Sequence, residues 1–150
     1  MGTTRAIWMC AAVLGVGLAA CKGQKTESVV ENGRPLLDGL STYSMPISTQ
    51  SPLAQKYFDQ GVRLTYAFNH PEAVRAFEAA VKIDPECAMC FAWRAFALGP
   101  NINAPMEKTD NAEAWKALNK AHEFSHLASS KEQALVTLVA APFAPAGSPR

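Results

Sequence analysis

Two short stretches of the chain have residue types and spacings that could do chemistry. Cys87-Ala88-Met89-Cys90 sets two thiols three positions apart, a spacing that closes a disulfide, binds a metal or exchanges thiols. Residue 91 is Phe, so the histidine needed for haem attachment is missing, and there is no second such cysteine pair to complete a zinc cage. His122-Glu123-Phe124-Ser125-His126 sets two imidazoles one helical turn apart with a carboxylate between them. On one helix face such a pair can hold a divalent metal while the Glu activates water, which is the chemistry of metal-dependent hydrolysis. It needs a third ligand. Glu132 follows, and no His, Asp or Glu lies beyond it. The same residues also suit a plainer role: Ala121, Phe124, Leu127 and Ala128 as a packing face, with His122 and His126 on a solvated flank.

A third cysteine has a different setting. Residues 6–20 (AIWMCAAVLGVGLAA) carry no charge and follow the basic Arg5. Fifteen helical residues span about 22 Å, too short for a hydrocarbon core of about 30 Å, so the run reads as a cleavable export signal. It ends in Leu18-Ala19-Ala20-Cys21, which resembles the bacterial lipobox: an aliphatic residue, two small ones, then cysteine. That resemblance implies cleavage before Cys21 and acylation of Cys21, with two or three acyl chains giving stable membrane anchoring. Lys22 follows where aspartate would signal inner-membrane retention, so the resemblance favours the outer membrane, facing the periplasm. Export also favours a structural disulfide between Cys87 and Cys90. Free buried thiols and redox or metal work remain the alternatives.

Composition narrows the function classes. The chain has 150 residues, 49 % of them hydrophobic and 18 % charged, enough apolar surface for a core and too little polarity for a disordered chain. Loss of residues 1–20 removes one basic residue, leaving 13 basic against 13 acidic. That balance argues against nucleic-acid binding. There is no glycine-rich phosphate loop and no serine nucleophile elbow, so the sequence calls for no cofactor and no enzyme activity of those kinds. Residues 21–50 are polar and broken by Gly23, Gly33, Pro35, Gly39 and Pro46, and read as an irregular linker. Leu36, Leu37, Leu40, Tyr43, Met45 and Ile47 could dock on the folded part, chiefly over residues 40–50.

From residue 51 the pattern turns helical. Ser51 is an N-cap and Pro52 suits the first helical position; Asn69-His70-Pro71 breaks the run and Ile83-Asp84-Pro85 ends a second helix. The result is a helical hairpin. Gly61, Ala73, Phe77, Ala80 and Pro85 then fall 12, 4, 3 and 5 residues apart. This resembles the tetratricopeptide repeat, with Tyr57 as its large residue and Leu64 where the family prefers Tyr. A second unit starts at Ala88, with Phe91, Ala95 and Leu98 in register. Its second helix is displaced by the loop 99–105 and carries Ala114, Leu118 and Ala121. Asp110 with Glu113 is the expected cap of that helix, and Ser130 with Gln133 that of a third. Trp93 and Trp115 are expected as packing anchors and His70 as a turn or cap residue. Residues 44–98 also resemble larger bacterial repeat lipoproteins.

The sequence therefore predicts an all-α chain: a signal peptide over 1–20, a lipid-anchored linker over 21–50, and about two and a half TPR-like hairpins of a superhelix over 51–150, as a piece of a longer array or with the tail as a crude cap. The expected role is a membrane-anchored scaffold for an unidentified protein partner. Arg63, Asn69, Arg94 and Asn101 are the candidate contacts. A metal-dependent hydrolase using His122 and His126, or a non-functional fragment of a larger repeat protein, are the alternatives.

Overall fold

Ser51 and Pro52 open the first helix as expected: Ser51 Oγ accepts a hydrogen bond from the Ala54 amide at 3.2 Å, and α1 runs Pro52–Tyr66. In the computed structural model, which describes residues 30–31, 34–102, 106 and 108–143, four further helices follow. They are α2 (His70–Ile83), α3 (Ala88–Leu98), α4 (Lys108–Phe124) and α5 (Ser130–Ala140). A single 3-10 turn, Ser125–Leu127, joins α4 to α5. The two short strands pair as an antiparallel bridge of Val30–Glu31 with Arg34–Pro35. The described part of the chain is thus all-helical. The expected signal segment 1–20 and Cys21 lie outside the described residues, as do 103–105 and the tail 144–150.

Each helix end has a local cause. After Tyr66 the Phe68 amide bonds the Thr65 carbonyl and the Asn69 amide bonds the Leu64 carbonyl, the paired bonds of a Schellman stop. Such a stop needs a left-handed residue, and here it is Phe68, with φ 59°. A phenylalanine there costs about 1–2 kcal/mol that glycine would not. The α4 cap differs from the sequence reading. The helix starts at Lys108, so Asp110 lies inside its first turn, facing the positive end of the helix dipole, instead of capping it. The α5 cap is one residue earlier than expected: Ser129 and Glu132 form a reciprocal capping box, in place of Ser130 and Gln133.

Packing follows the small residues. Gly61 and Ala73 are buried where α1 meets α2, and a Cβ added at Gly61 would lie 2.5 Å from the Phe77 ring. Phe77 sits 5.7 Å from Phe58 between ring centroids, and Trp93 of α3 closes the cluster at 6.1 Å from Phe58 and 6.4 Å from Phe77. Trp93 is therefore a packing anchor, although its indole N–H is buried without a hydrogen-bond partner. The second unit packs likewise, with Ala95, Ala114, Leu118 and Ala121 all buried and Phe91 stacked on Phe124. Trp115 is half-buried beside the cluster of Ala95, Ala114 and Leu118. Phe143, beyond α5, is buried against Gly99, where a Cβ would meet its ring at 3.0 Å.

Gly61→Ala should lower stability by about 1–3 kcal/mol, the usual cost of overpacking a filled core. Urea unfolding should show a lower midpoint at unchanged slope. In a Phe77→Leu background the same change should cost less, because the ring that blocks the new methyl is gone.

Candidate functional site

Residues 35–49, before α1, do not form a free linker. From Pro35 to Thr49 they lie on the helices, and the polar side chains of α1 hold their main chain. The Leu37 amide donates to Gln60 Oε1 at 2.7 Å, and Gln60 Nε2 donates to the Pro35 carbonyl at 3.3 Å. Arg63 Nε donates to the Tyr43 carbonyl at 2.6 Å. Asp59 accepts from the Met45 amide at 3.0 Å and from Ser44 Oγ at 2.7 Å. Gln55 accepts from the Ile47 amide at 3.0 Å and donates to the Met45 carbonyl at 2.9 Å.

The register gives the conformation. Residues 43 to 47 pair with α1 residues 63 to 55. Eight helical residues rise about 12 Å, and four residues cover that only when close to fully extended. The segment is an extended strap antiparallel to α1. From Ser44 to Ser48 its side chains alternate: Met45 and Ile47 pack on the core, while Ser44, Pro46 and Ser48 are exposed. Docking was expected over 40–50, and it begins earlier, with Leu36 also packed on the core. Leu37 and Tyr43 point outward.

The strap ends on the last helix. The Ser48 amide donates to Glu132 Oε1 at 2.6 Å and Ser48 Oγ donates to Glu132 Oε2. One residue later Thr49 Oγ1 donates to Asp84 Oδ2, beyond the end of α2. Glu132 is buried on α5. Burial opposes its charge, but hydrogen bonds from Ser129 and Ser48 outweigh that and hold its carboxyl below the usual value. Gln55, Asp59 and Gln60 are not singled out by the sequence, and Glu132 is singled out there only as the carboxylate that follows the His122–His126 pair, not as the residue that holds the strap. The available signal was the Gln55, Asp59, Arg63 row at four-residue spacing on α1, which reads alone as a solvated face.

The sequence candidates fall out as follows. Cys87 and Cys90 are joined by a disulfide, both buried at the start of α3, where Cys87 Sγ also accepts from the Cys90 amide. His122 is in α4 but His126 is in the 3-10 turn after it, so the pair does not share one continuous helix face. His126 Nδ1 lies 2.9 Å from the Glu123 carbonyl, and Glu123 pairs with Lys120. Among the described residues no group of three His, Cys, Asp or Glu residues comes together to hold a metal ion.

Of the four candidate partner contacts, Arg63 is committed to the strap and Asn69 is exposed in the α1–α2 turn. Arg94 pairs with Glu78 at 3.1 Å and Glu113 at 3.5 Å, tying α3 to α2 and α4. Lys116, and after it Arg94, hold the Glu113 carboxyl below its usual value. Asn101 is half-buried in the loop after α3. His70 starts α2, with both ring nitrogens buried and without hydrogen-bond partners.

The class these features define is an all-α protein of packed helical hairpins, bearing an extended strap read by side chains through its main chain. No protein-family model matches the chain, and no curated protein or solved structure matches it. Among the described residues no helix is long and apolar enough to cross a membrane.

Acid should loosen the strap. A carboxyl whose folded value is depressed contributes stability above its unfolded value and loses it as pH falls through the folded one. For Glu132 that loss falls below pH 4.5. Hydrogen exchange at Ser48 should therefore speed up on acidification below that pH, and Glu132→Gln should remove this component. At neutral pH, Asp59→Ala should expose the strap to protease and cost about 1.5–3 kcal/mol, because it removes a charged acceptor of three bonds, two of them from the strap.

Proposed function

We propose that this chain is an exported bacterial lipoprotein, acylated at Cys21, whose tetratricopeptide-type hairpins act as a scaffold for protein segments in the cell envelope. The observation that carries the binding part is the polar row of α1. Gln55, Asp59, Gln60 and Arg63 engage main-chain amides and carbonyls of an extended segment, while apolar side chains of that segment reach the core. In the recognition of extended peptides elsewhere, as at sheet edges, main-chain bonds supply affinity and pockets for alternate side chains supply specificity, and here helix side chains take the part of the sheet edge. In the chain alone, residues 35–49 occupy that surface. A partner segment binds there by replacing them, or beside them. The hairpin offsets of Gly61, Ala73, Phe77 and Ala80, with the close Gly61–Phe77 approach, support the repeat reading. The anchoring part is supported by the apolar run 6–20 and by Leu18-Ala19-Ala20-Cys21.

Two measurements test the reading. A chain with Met45→Asp and Ile47→Asp, which unseats the strap, should bind a labelled peptide of residues 35–49 saturably, whereas the parent chain should not. Absence of binding to the released surface would remove the peptide-scaffold reading. In bacteria, Cys21→Ala should abolish incorporation of labelled palmitate and shift the chain out of the membrane fraction.

A further inference from the structure

One end of the molecule carries most of its exposed aromatic surface. Tyr66 closes α1, 66 % exposed, with its ring 6.3 Å from Trp93; Trp93 in turn packs edge-on to the exposed Phe96 at 5.2 Å. Tyr43 of the strap, also exposed, joins Tyr66, Arg63 and Ser41 around an open cavity of about 430 Å³. Phe68 follows in the turn. The residue is 58 % exposed, yet its backbone is held at φ 59°, a strained setting for a bulky residue. A buried phenylalanine would recover such a cost through packing. Phe68 has the edge-on His70 ring at 6.3 Å to offset a part of it, and strain retained at a mostly exposed side chain points to use outside the fold.

We propose that this aromatic end rests on a lipid bilayer, with Tyr43, Tyr66, Phe68 and Phe96 at headgroup depth and Arg63 beside the phosphates. The inference rests on the reading that the chain is anchored at Cys21, and it adds the orientation that the anchor alone leaves open. Tyrosine and phenylalanine beside arginine suit that boundary, where rings enter the apolar layer while hydroxyl and guanidinium stay wet. The path of the chain favours a membrane over a protein as the occupant. The segment leading back to Cys21 enters the fold at Pro35, bonded to Gln60, which is three residues along α1 from Arg63. Val30 pairs with Pro35, so the reach to Cys21 comes from the nine steps between residues 21 and 30, at most about 32 Å, and the tether keeps this part of the fold near the bilayer. A surface too weak to bind membrane unaided is then filled by effective concentration. The opposite end is less suited: Leu127 shares its cavity there with Asp84 and Glu86, whose charges anionic lipids repel.

The test uses the full acylated chain, purified from bacterial membranes and reconstituted into phosphatidylethanolamine–phosphatidylglycerol vesicles with brominated acyl chains. Tryptophan is placed at either end by Tyr66→Trp or Leu127→Trp, and each signal is read against that of the parent chain. Bromine should quench the Tyr66→Trp signal at least twofold more than the Leu127→Trp signal. Adding Phe68→Gly should raise the thermal midpoint by a few degrees and reduce the quenching at position 66. A chain that floats with the vesicles but shows equal quenching at both ends overturns this inference and leaves the anchor standing. A chain that does not float with them overturns both. In intact cells, a photoreactive group at Tyr66 that captures protein in place of lipid would also overturn it.

Discussion

The fold depends on one close approach. Gly61 has no Cβ, and the Phe77 ring occupies the space where one would be. That lets α1 and α2 lie against each other, and it leaves Phe77 in position to meet both Phe58 and Trp93. Through Trp93 the same contact draws α3 onto the first hairpin. The interior is close-packed, so a single methyl at this point would have to move a ring that three helices share.

The strap shows how an irregular segment can be held firmly. Its main-chain groups have no helix or sheet to satisfy them, and burying them unpaired would be costly. The α1 side chains supply partners at Pro35, Leu37, Tyr43, Met45 and Ile47, and Glu132 supplies one at Ser48. A consequence is long-range connection. Ser48 and Glu132 are 84 residues apart, and their bonds join the approach to the first helix to the last helix. The carboxylate can stay charged while buried because donors from two segments surround it.

The two chemical motifs read from sequence came to different ends for physical reasons. Cys87 and Cys90 are four consecutive residues end to end, and the start of a helix brings them together whatever the rest of the chain does. The histidines depend on a continuous helix across residues 122–126. The chain instead tightens into a 3-10 turn after Phe124, where Ser125 Oγ donates to the His122 carbonyl and Phe124 is drawn onto Phe91. Packing at one residue thus redirected its neighbours.

What the sequence determined by itself is what lies within about one helical turn. Ser51-Pro52 set the start of α1, Asn69-His70-Pro71 the break before α2, and Ile83-Asp84-Pro85 the end of α2, because caps and prolines act on adjacent backbone groups. The Gly61, Ala73 and Phe77 offsets also carried the hairpin contact. The α5 cap was legible to within one residue and the start of α4 to within three, since several Ser, Asp and Glu residues there compete as caps. The tertiary structure alone decided where residues 35–49 lie, that the Gln55–Asp59–Arg63 row faces a strap and not water, and that Arg94 is consumed between Glu78 and Glu113. A polar row on a helix has the same spacing whether solvent or another segment covers it. Only the path of the distant chain distinguishes the two.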